Sequence, residues 1–114
     1  MEPNPYLETV RRIAEKLPAV TEGTSYGTPS FKVGGKFFAR LREDGETLAL
    51  KLGYEMREFL MLSNPDVYFI TDHYLHYPAI LIRLPAVDPD ELREHIIHAW
   101  RYNAPKKIAG TIGN

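Results

Sequence analysis

Residues 30–52 decide the fold, because apolar and polar side chains alternate along them between two turn signals. They read SFKVGGKFFARLREDGETLALKL. Gly34-Gly35 and Asp44-Gly45 are typical of two-residue hairpin turns, since these turns require positive φ angles that glycine adopts without strain. The period of two between the turns is typical of strands with one buried face. The stretch therefore predicts a three-stranded antiparallel meander.

Helical patterns stand on both sides of this meander. Before it, apolar residues recur at helical spacing from Leu7 to Leu17, and Pro18 ends the helix because proline cannot continue it. Residues 19–24 are expected to form a loop. After the meander, good helix formers with apolar residues among them predict a short helix over residues 54–62.

The last third of the chain predicts two strands and a long helix. Residues 67–71 and 79–84 are short apolar runs of strand length, joined by a ring-rich connection over 72–78. Asp88 is a good N-cap for the final helix, which ends before Pro105. The order is α-βββ-α-ββ-α, which favours an α+β fold: one antiparallel sheet with helices packed mainly on one face.

Composition excludes several classes of protein. The chain has 114 residues, 44% hydrophobic and 25% charged, which is ordinary for a single domain over residues 1–114. It has no Cys, which excludes disulfides and thiolate chemistry. The net charge of −1 gives no general attraction to nucleic acid or membranes. No apolar run approaches the ~20 residues of a membrane span, so we expect a cytoplasmic protein with no membrane partner.

A basic face of the sheet is the first candidate site. Alternation along the strands places cations and one ring on the side away from the core, as in sheets that bind single strands with phosphate contacts and stacked bases. Two lysines of the tail would extend it. The alternative is a merely solvated strand face. The candidate nucleic-acid-binding residues are Lys32, Lys36, Phe38, Arg40, Arg42, Lys51, Lys106 and Lys107.

A ring-rich groove is the second candidate. Tyr26 follows the predicted loop, and His73, Tyr74 and Tyr77 belong to the connection between the last two strands. These rings are able to hold a planar ligand or a peptide, although buried tyrosines more often bond the core. His-x-x-His spacing in a loop has no fixed geometry, so we expect no metal site and no cofactor.

Known catalytic motifs are missing from the chain. It has no Gly-rich phosphate loop, no nucleophile elbow and no helical His-Glu-x-x-His. We therefore expect a non-enzymatic protein. The remaining enzymatic alternative is proton transfer by a His73–Asp72 pair.

Three segments together resemble the MmcQ/YjbR family. They are the run from Glu22 to Lys36, the run from Thr71 through Tyr77-Pro78-Ala79, and Ala99-Trp100 leading to Pro105-Lys106-Lys107. The resemblance covers nearly the whole chain in the right order. It implies a small bacterial cytoplasmic α+β domain, and it brings a DNA-binding label that rests on fold similarity. The family supplies no agreed catalytic residues.

These observations favour a monomeric, non-enzymatic binding module for nucleic acid that uses the basic sheet face. Two alternatives stay open. One is a small-ligand or peptide groove lined by Tyr26, His73, Tyr74 and Tyr77. The other is a protein-interaction domain that docks through the same region.

Overall fold

The computed structural model describes residues 4–110 and shows a six-stranded antiparallel sheet with four α-helices among them. Residues 1–3 and 111–114 of the predicted domain lie outside the described residues. The strands are β1 Val20–Ser25, β2 Thr28–Val33, β3 Lys36–Leu41, β4 Thr47–Lys51, β5 Tyr68–Phe69 and β6 Ala79–Arg83. The helices are α1 Pro5–Ala14, α2 Tyr54–Ser63, α3 Pro89–Asn103 and α4 Lys106–Ala109, with a 3-10 turn at Asp72–Tyr74.

The strand order is β1-β2-β3-β4-β6-β5, and every neighbouring pair is antiparallel. The α+β class and the antiparallel sheet are thus confirmed. Of the last two strands, β6 lies beside β4 and β5 lies outside it at the edge. The predicted strand over 67–71 contributes only the two residues of β5 at the sheet edge.

The expectation of a loop over residues 19–24 is wrong. These residues form most of β1, which pairs along its whole length with β2, so the meander has four strands. The centre of β1 is exposed on both faces, so its sequence carries no alternation of apolar and polar side chains. Tyr26-Gly27 makes the turn to β2 with φ angles of 52° and 79°.

The helices cover one face of the sheet, as predicted. Trp100 on α3 is fully buried in this core with Phe31, Leu48 and Ile80. Its indole N–H donates to the carbonyl oxygen of Pro18 at 2.9 Å, which holds the turn that follows α1 against α3. None of the helices in the described part of the chain is long and apolar enough to cross a membrane.

A bulge in β3 overturns the predicted orientation of Phe38. Phe31 pairs with Ala39, but its neighbour Lys32 pairs with Phe37, so Phe38 is an extra residue between two register positions. The extra residue shifts the alternation by one. Phe38 is fully buried in the core. Phe37 lies on the outer face, where the sequence pattern predicted Phe38.

Strand β1 forms one edge of the sheet and is tied to α1. The Arg11 side chain donates to both carboxylate oxygens of Glu22, from Nε at 2.8 Å and from Nη2 at 2.7 Å. Arg11 also pairs with Glu8 one turn earlier on the helix. The edge strand is thereby joined to the helical layer by a bidentate ion pair.

Candidate ligand-binding cleft

A cleft of about 490 Å³ opens on the outer face of the sheet, between the turn after β1 and the connection from β5 to β6. It brings together members of both predicted sets, the cations and the rings. Its lining residues are Ser25, Tyr26, Lys32, Phe37, Arg40, Ala49, His73, Tyr74 and Tyr77. This volume lies within the range of roughly 300–1,000 Å³ that is usual for small-molecule sites.

The sheet supplies the floor of the cleft. Lys32 on β2 and Phe37 on β3 are register partners, so their side chains stand next to each other on the outer face. Ala49 on β4 lies behind them. Its methyl group is small, so space remains above the centre of the sheet.

The connection between β5 and β6 forms a wall and covers part of the outer face of the sheet. Tyr74 is only 7% exposed and packs on Ala49, Ala79 and Leu81. Its ring lies edge to face with His73 at 5.1 Å between centroids, and tilted against Tyr77 at 6.5 Å. Tyr74 is therefore a support for the wall, and His73 and Tyr77 are its exposed members.

Arg57 on α2 holds this wall in place, and sequence reasoning missed it. Its side chain is buried, and Nη1 donates to the carbonyl oxygens of Tyr74 and Tyr77, each at 2.9 Å. Nη2 donates to the carbonyl oxygen of Leu75 at 3.3 Å. One guanidinium thus fixes the backbone that carries the rings. The only sequence signal was its helical spacing with buried Leu60.

Tyr26 projects over the opposite side of the cleft. It is 88% exposed and has a φ angle of 52°, in the left-handed region that is costly for a residue with a Cβ. The guanidinium carbon of Arg40 lies 5.4 Å from its ring centroid, within cation–π range. Residues held in sparsely populated backbone conformations cluster at functional sites.

Arg40 and Lys32 are the two cations that line the cleft. Arg40 uses only Nη1 in hydrogen bonds, to Thr28 Oγ1 at 2.8 Å and to Glu43 at 3.4 Å. Its Nε and Nη2 donors have no hydrogen-bond acceptor among residues 4–110. Lys32 is exposed and forms no ion pair with a described carboxylate. Both cations therefore have N–H groups available for an anion.

The remaining predicted cations lie outside the lining. Arg42 sits 5.6 Å from the ring of Tyr74, and Lys51 sits 5.8 Å from the ring of Tyr77. Burial lowers the pKa of Lys51, and the charge of exposed Lys36 lowers it further. The positive charge of this face thus continues past the cleft towards Lys36 and Lys51.

Lys106 and Lys107 are not brought to this face. They are exposed on α4, whose Ile108 packs against the main core on the helical side. Their contribution to the basic face, which required the tail to fold over the sheet, is therefore not part of the described arrangement.

His73 and Asp72, the pair considered for proton transfer, both lie on the 3-10 turn at Asp72–Tyr74. Among the hydrogen bonds of residues 4–110, none joins His73 to Asp72. No group of three His, Asp or Glu side chains in the described part of the chain is arranged to hold a metal ion. The arrangement is suited to binding: rings for a planar group, and cations for a negative one.

These features define a small α+β protein with an aromatic and cationic cleft on the outer face of its sheet. The chain belongs to the YjbR family, whose family model matches residues 15–102. Uncharacterized proteins Rv2570 of Mycobacterium tuberculosis and Mb2600 of Mycobacterium bovis are each 35% identical over 65 residues. That match covers 56% of this chain and 50% of each relative, so the chain spans about half the length of these curated relatives.

A solved structure shares the fold. Deinococcus radiodurans protein DR2400, a DUF419 domain, superposes with a TM-score of 0.77 over 92% of this chain and 83% of that chain, at 21% identity. The agreement confirms the α+β architecture, and at this identity it bears on the fold alone.

Proposed function

We propose that the protein is a non-catalytic, cytoplasmic binding module that recognises nucleotides through the cleft. The observation that carries the proposal is the convergence of Tyr26, Phe37 and Tyr77 with Lys32 and Arg40 around one space of about 490 Å³. A nucleotide presents a planar base and a negatively charged phosphate, which are the two chemistries that these side chains complement.

The rings and the cations have separate roles in this proposal. The base stacks against exposed Tyr26 or Tyr77, since every base offers a π face to an aromatic side chain. The phosphate lies against Lys32 and the unpartnered guanidinium edge of Arg40. The planar Arg40 fork adds directional hydrogen bonds, whereas the Lys32 ammonium acts as a point charge.

Single-stranded nucleic acid is the second candidate, and a specific observation favours it. Positive charge continues beyond the cleft through Lys36 and Lys51, where a following phosphate of a strand would lie. One base would occupy the cleft while these lysines contact the backbone. Phe38, buried in the core, takes no part.

Amide-shift titrations with a mononucleotide, a short single strand and a short duplex test the proposal. We expect the mononucleotide to shift the amide signals of residues that line the cleft. Lys32→Ala should weaken mononucleotide binding, whereas Lys107→Ala should leave it unchanged. If the single strand binds more tightly through Lys32, Lys36 and Lys51, its log K falls with log salt with a slope of about −2.

Two results would contradict the proposal. The first is the absence of shifts around the cleft with both the mononucleotide and the single strand at low salt. The second is binding that Lys32→Ala leaves unchanged. Shifts with a single strand but not with the mononucleotide would select the second candidate.

A further inference from the structure

A second surface lies on the helical side of the molecule, away from the cleft. It is a groove of about 480 Å³ between α1 with its following turn and α3. Ile13 on α1, Leu17 in the turn after α1 and Ile97 on α3 form an apolar, half-buried floor. Arg12, Lys16 and Arg93 are the charged residues of its lining, and all three are exposed cations.

The three cations of this groove are not held in ion pairs within the described chain. Arg12, Lys16 and Arg93 form no ion pair with a carboxylate among residues 4–110. The neighbouring Arg11 behaves differently, since Glu8 and Glu22 both bind it. Glu8 and Glu22 are therefore engaged away from the groove, and the three cations of its lining are exposed.

We propose that this groove binds an acidic amphipathic segment of a partner protein. On the α1 side the groove runs from Thr9 to Ile13 and on through the turn to Leu17, and its α1 part spans roughly 6 Å, about one turn of a helical segment. Apolar side chains of such a segment pack on Ile13, Leu17 and Ile97, as in helix-in-groove recognition. Its flanking carboxylates meet the cations on the rim, so charge sets the orientation and the choice of partner.

Other occupants fit the groove less well. A membrane would need apolar side chains that project, whereas Ile13, Leu17 and Ile97 form a recessed floor. Single-stranded nucleic acid would need rings for stacking, and the lining of this groove has none. A helical peptide meets both requirements of the groove, apolar contact at the centre and negative charge at the rim.

A synthetic peptide provides the test. It has about 14 residues, the length at which an isolated helix becomes marginally stable, with leucines on one face and glutamates beside them. A second peptide has glutamine in place of every glutamate. Methyl shifts of Ile13, Leu17 and Ile97 report the binding. We expect the acidic peptide to shift these methyls, and the glutamine peptide to bind about tenfold more weakly, as expected for the loss of two exposed ion pairs.

Variants of the protein provide the matched comparison. Arg12→Glu combined with Lys16→Glu should weaken the acidic peptide about tenfold or more. Arg101→Glu, an exposed change on α3 outside the groove, should leave the affinity unchanged. Equal binding of both peptides, equal binding by the double variant, or no methyl shifts would each overturn the proposal.

Two further measurements separate the other occupants. Methyl shifts that follow the concentration of the protein alone would assign the groove to a second copy of the chain. Shifts caused by vesicles of anionic lipid, without any by the acidic peptide, would assign it to a membrane surface. Either result would overturn the partner segment proposed here.

Discussion

The guanidinium carbon of Arg40 lies 5.4 Å from the ring centroid of Tyr26, so a strand cation holds the most exposed of the large hydrophobic side chains in the described chain over the cleft. Arg40 is itself held by Thr28 and Glu43. Tyr26 occupies a left-handed conformation at the turn before Gly27. The position of Tyr26 over the cleft thus depends on contacts with residues of the sheet, and substitution of single side chains tests each contact.

Tyr26→Asn should separate binding from stability. Asn-Gly is the favoured pair for this kind of turn, because Asn tolerates a positive φ. The relief of backbone strain is of order 1 kcal/mol, and the lost cation–π contact is worth about 0.5–1 kcal/mol. The free energy of unfolding should therefore change little, while nucleotide affinity falls about tenfold through lost stacking. Denaturant titration and the amide-shift titration measure the two effects. A large loss of stability would mean that Tyr26 is structural.

Phe37 and Phe38 should respond in opposite ways. Phe38→Ala removes a fully buried ring and should lower the free energy of unfolding by about 3–5 kcal/mol. Phe37→Ala should cost less stability, because Phe37 is only partly buried, and should weaken ligand binding. Denaturant unfolding of both variants checks the bulge directly. The reverse ranking would place the rings on the faces that simple alternation predicted.

Arg57→Ala should destabilise the protein by about 3 kcal/mol, because it leaves several carbonyl oxygens of the connection without their charged donor. Arg57→Lys should recover part of this loss, since an ammonium group reaches fewer of the carbonyls. The matched control is Arg101→Ala, an exposed change expected to stay within about 0.5 kcal/mol. Unfolding by urea measures all three variants. Equal losses of unfolding free energy in Arg57→Ala and Arg101→Ala would show that Arg57 does not stabilise the connection that forms the wall of the cleft.

Stability should fall as the pH drops through the titration range of histidine. Burial lowers the pKa of His95, against the opposing influence of Glu91 and Glu94, and His98 lowers it further. Nε2 of His95 lies within hydrogen-bond distance, 2.8 Å, of the hydroxyl oxygen of buried Tyr68, and the O–H of Tyr68 donates to Glu91 Oε1 at 3.0 Å. The unfolded chain therefore binds a proton at His95 more readily than the folded chain does. The free energy of unfolding keeps its full value above the ordinary histidine pKa of 6.5 and declines as the pH falls below it.

The comparison of His95→Gln with His76→Gln tests that origin. His95→Gln should flatten the decline between neutral and mildly acidic pH, whereas His76→Gln, at an exposed position, should leave it unchanged. Unfolding free energies measured across this range give the answer. An unaltered slope in His95→Gln would assign the decline to another group.

The fold was largely predictable because its main signals are local. Two glycine-containing turns, the Asp88 cap and the helical spacing that buries Trp100 each act within a few residues of sequence. Strand β1 was missed because its exposed centre leaves no hydrophobic period to detect. The bulge at Phe38 was missed because two adjacent Phe residues satisfy either phase of an alternating strand.

The cleft was predictable in its parts but not as a whole. Sequence reasoning named the rings of the connection and the cations of the sheet separately, and the structure places Tyr26, Lys32, Arg40 and Tyr77 around one space. Their meeting depends on long-range contacts, above all those of Arg57 with the connection. A helical arginine carries no local signal that it will bind carbonyl groups elsewhere in the chain.

The two edges of the sheet also bear on how the protein behaves when it is concentrated. An unpaired strand edge is a template for intermolecular β-sheet growth. At one edge of the described sheet, β5 is only two residues long. At the other, β1 carries Glu22, bound across to Arg11, and Gly23 at its centre, where glycine weakens strand pairing. Both edges therefore oppose edge-to-edge pairing between copies of the chain.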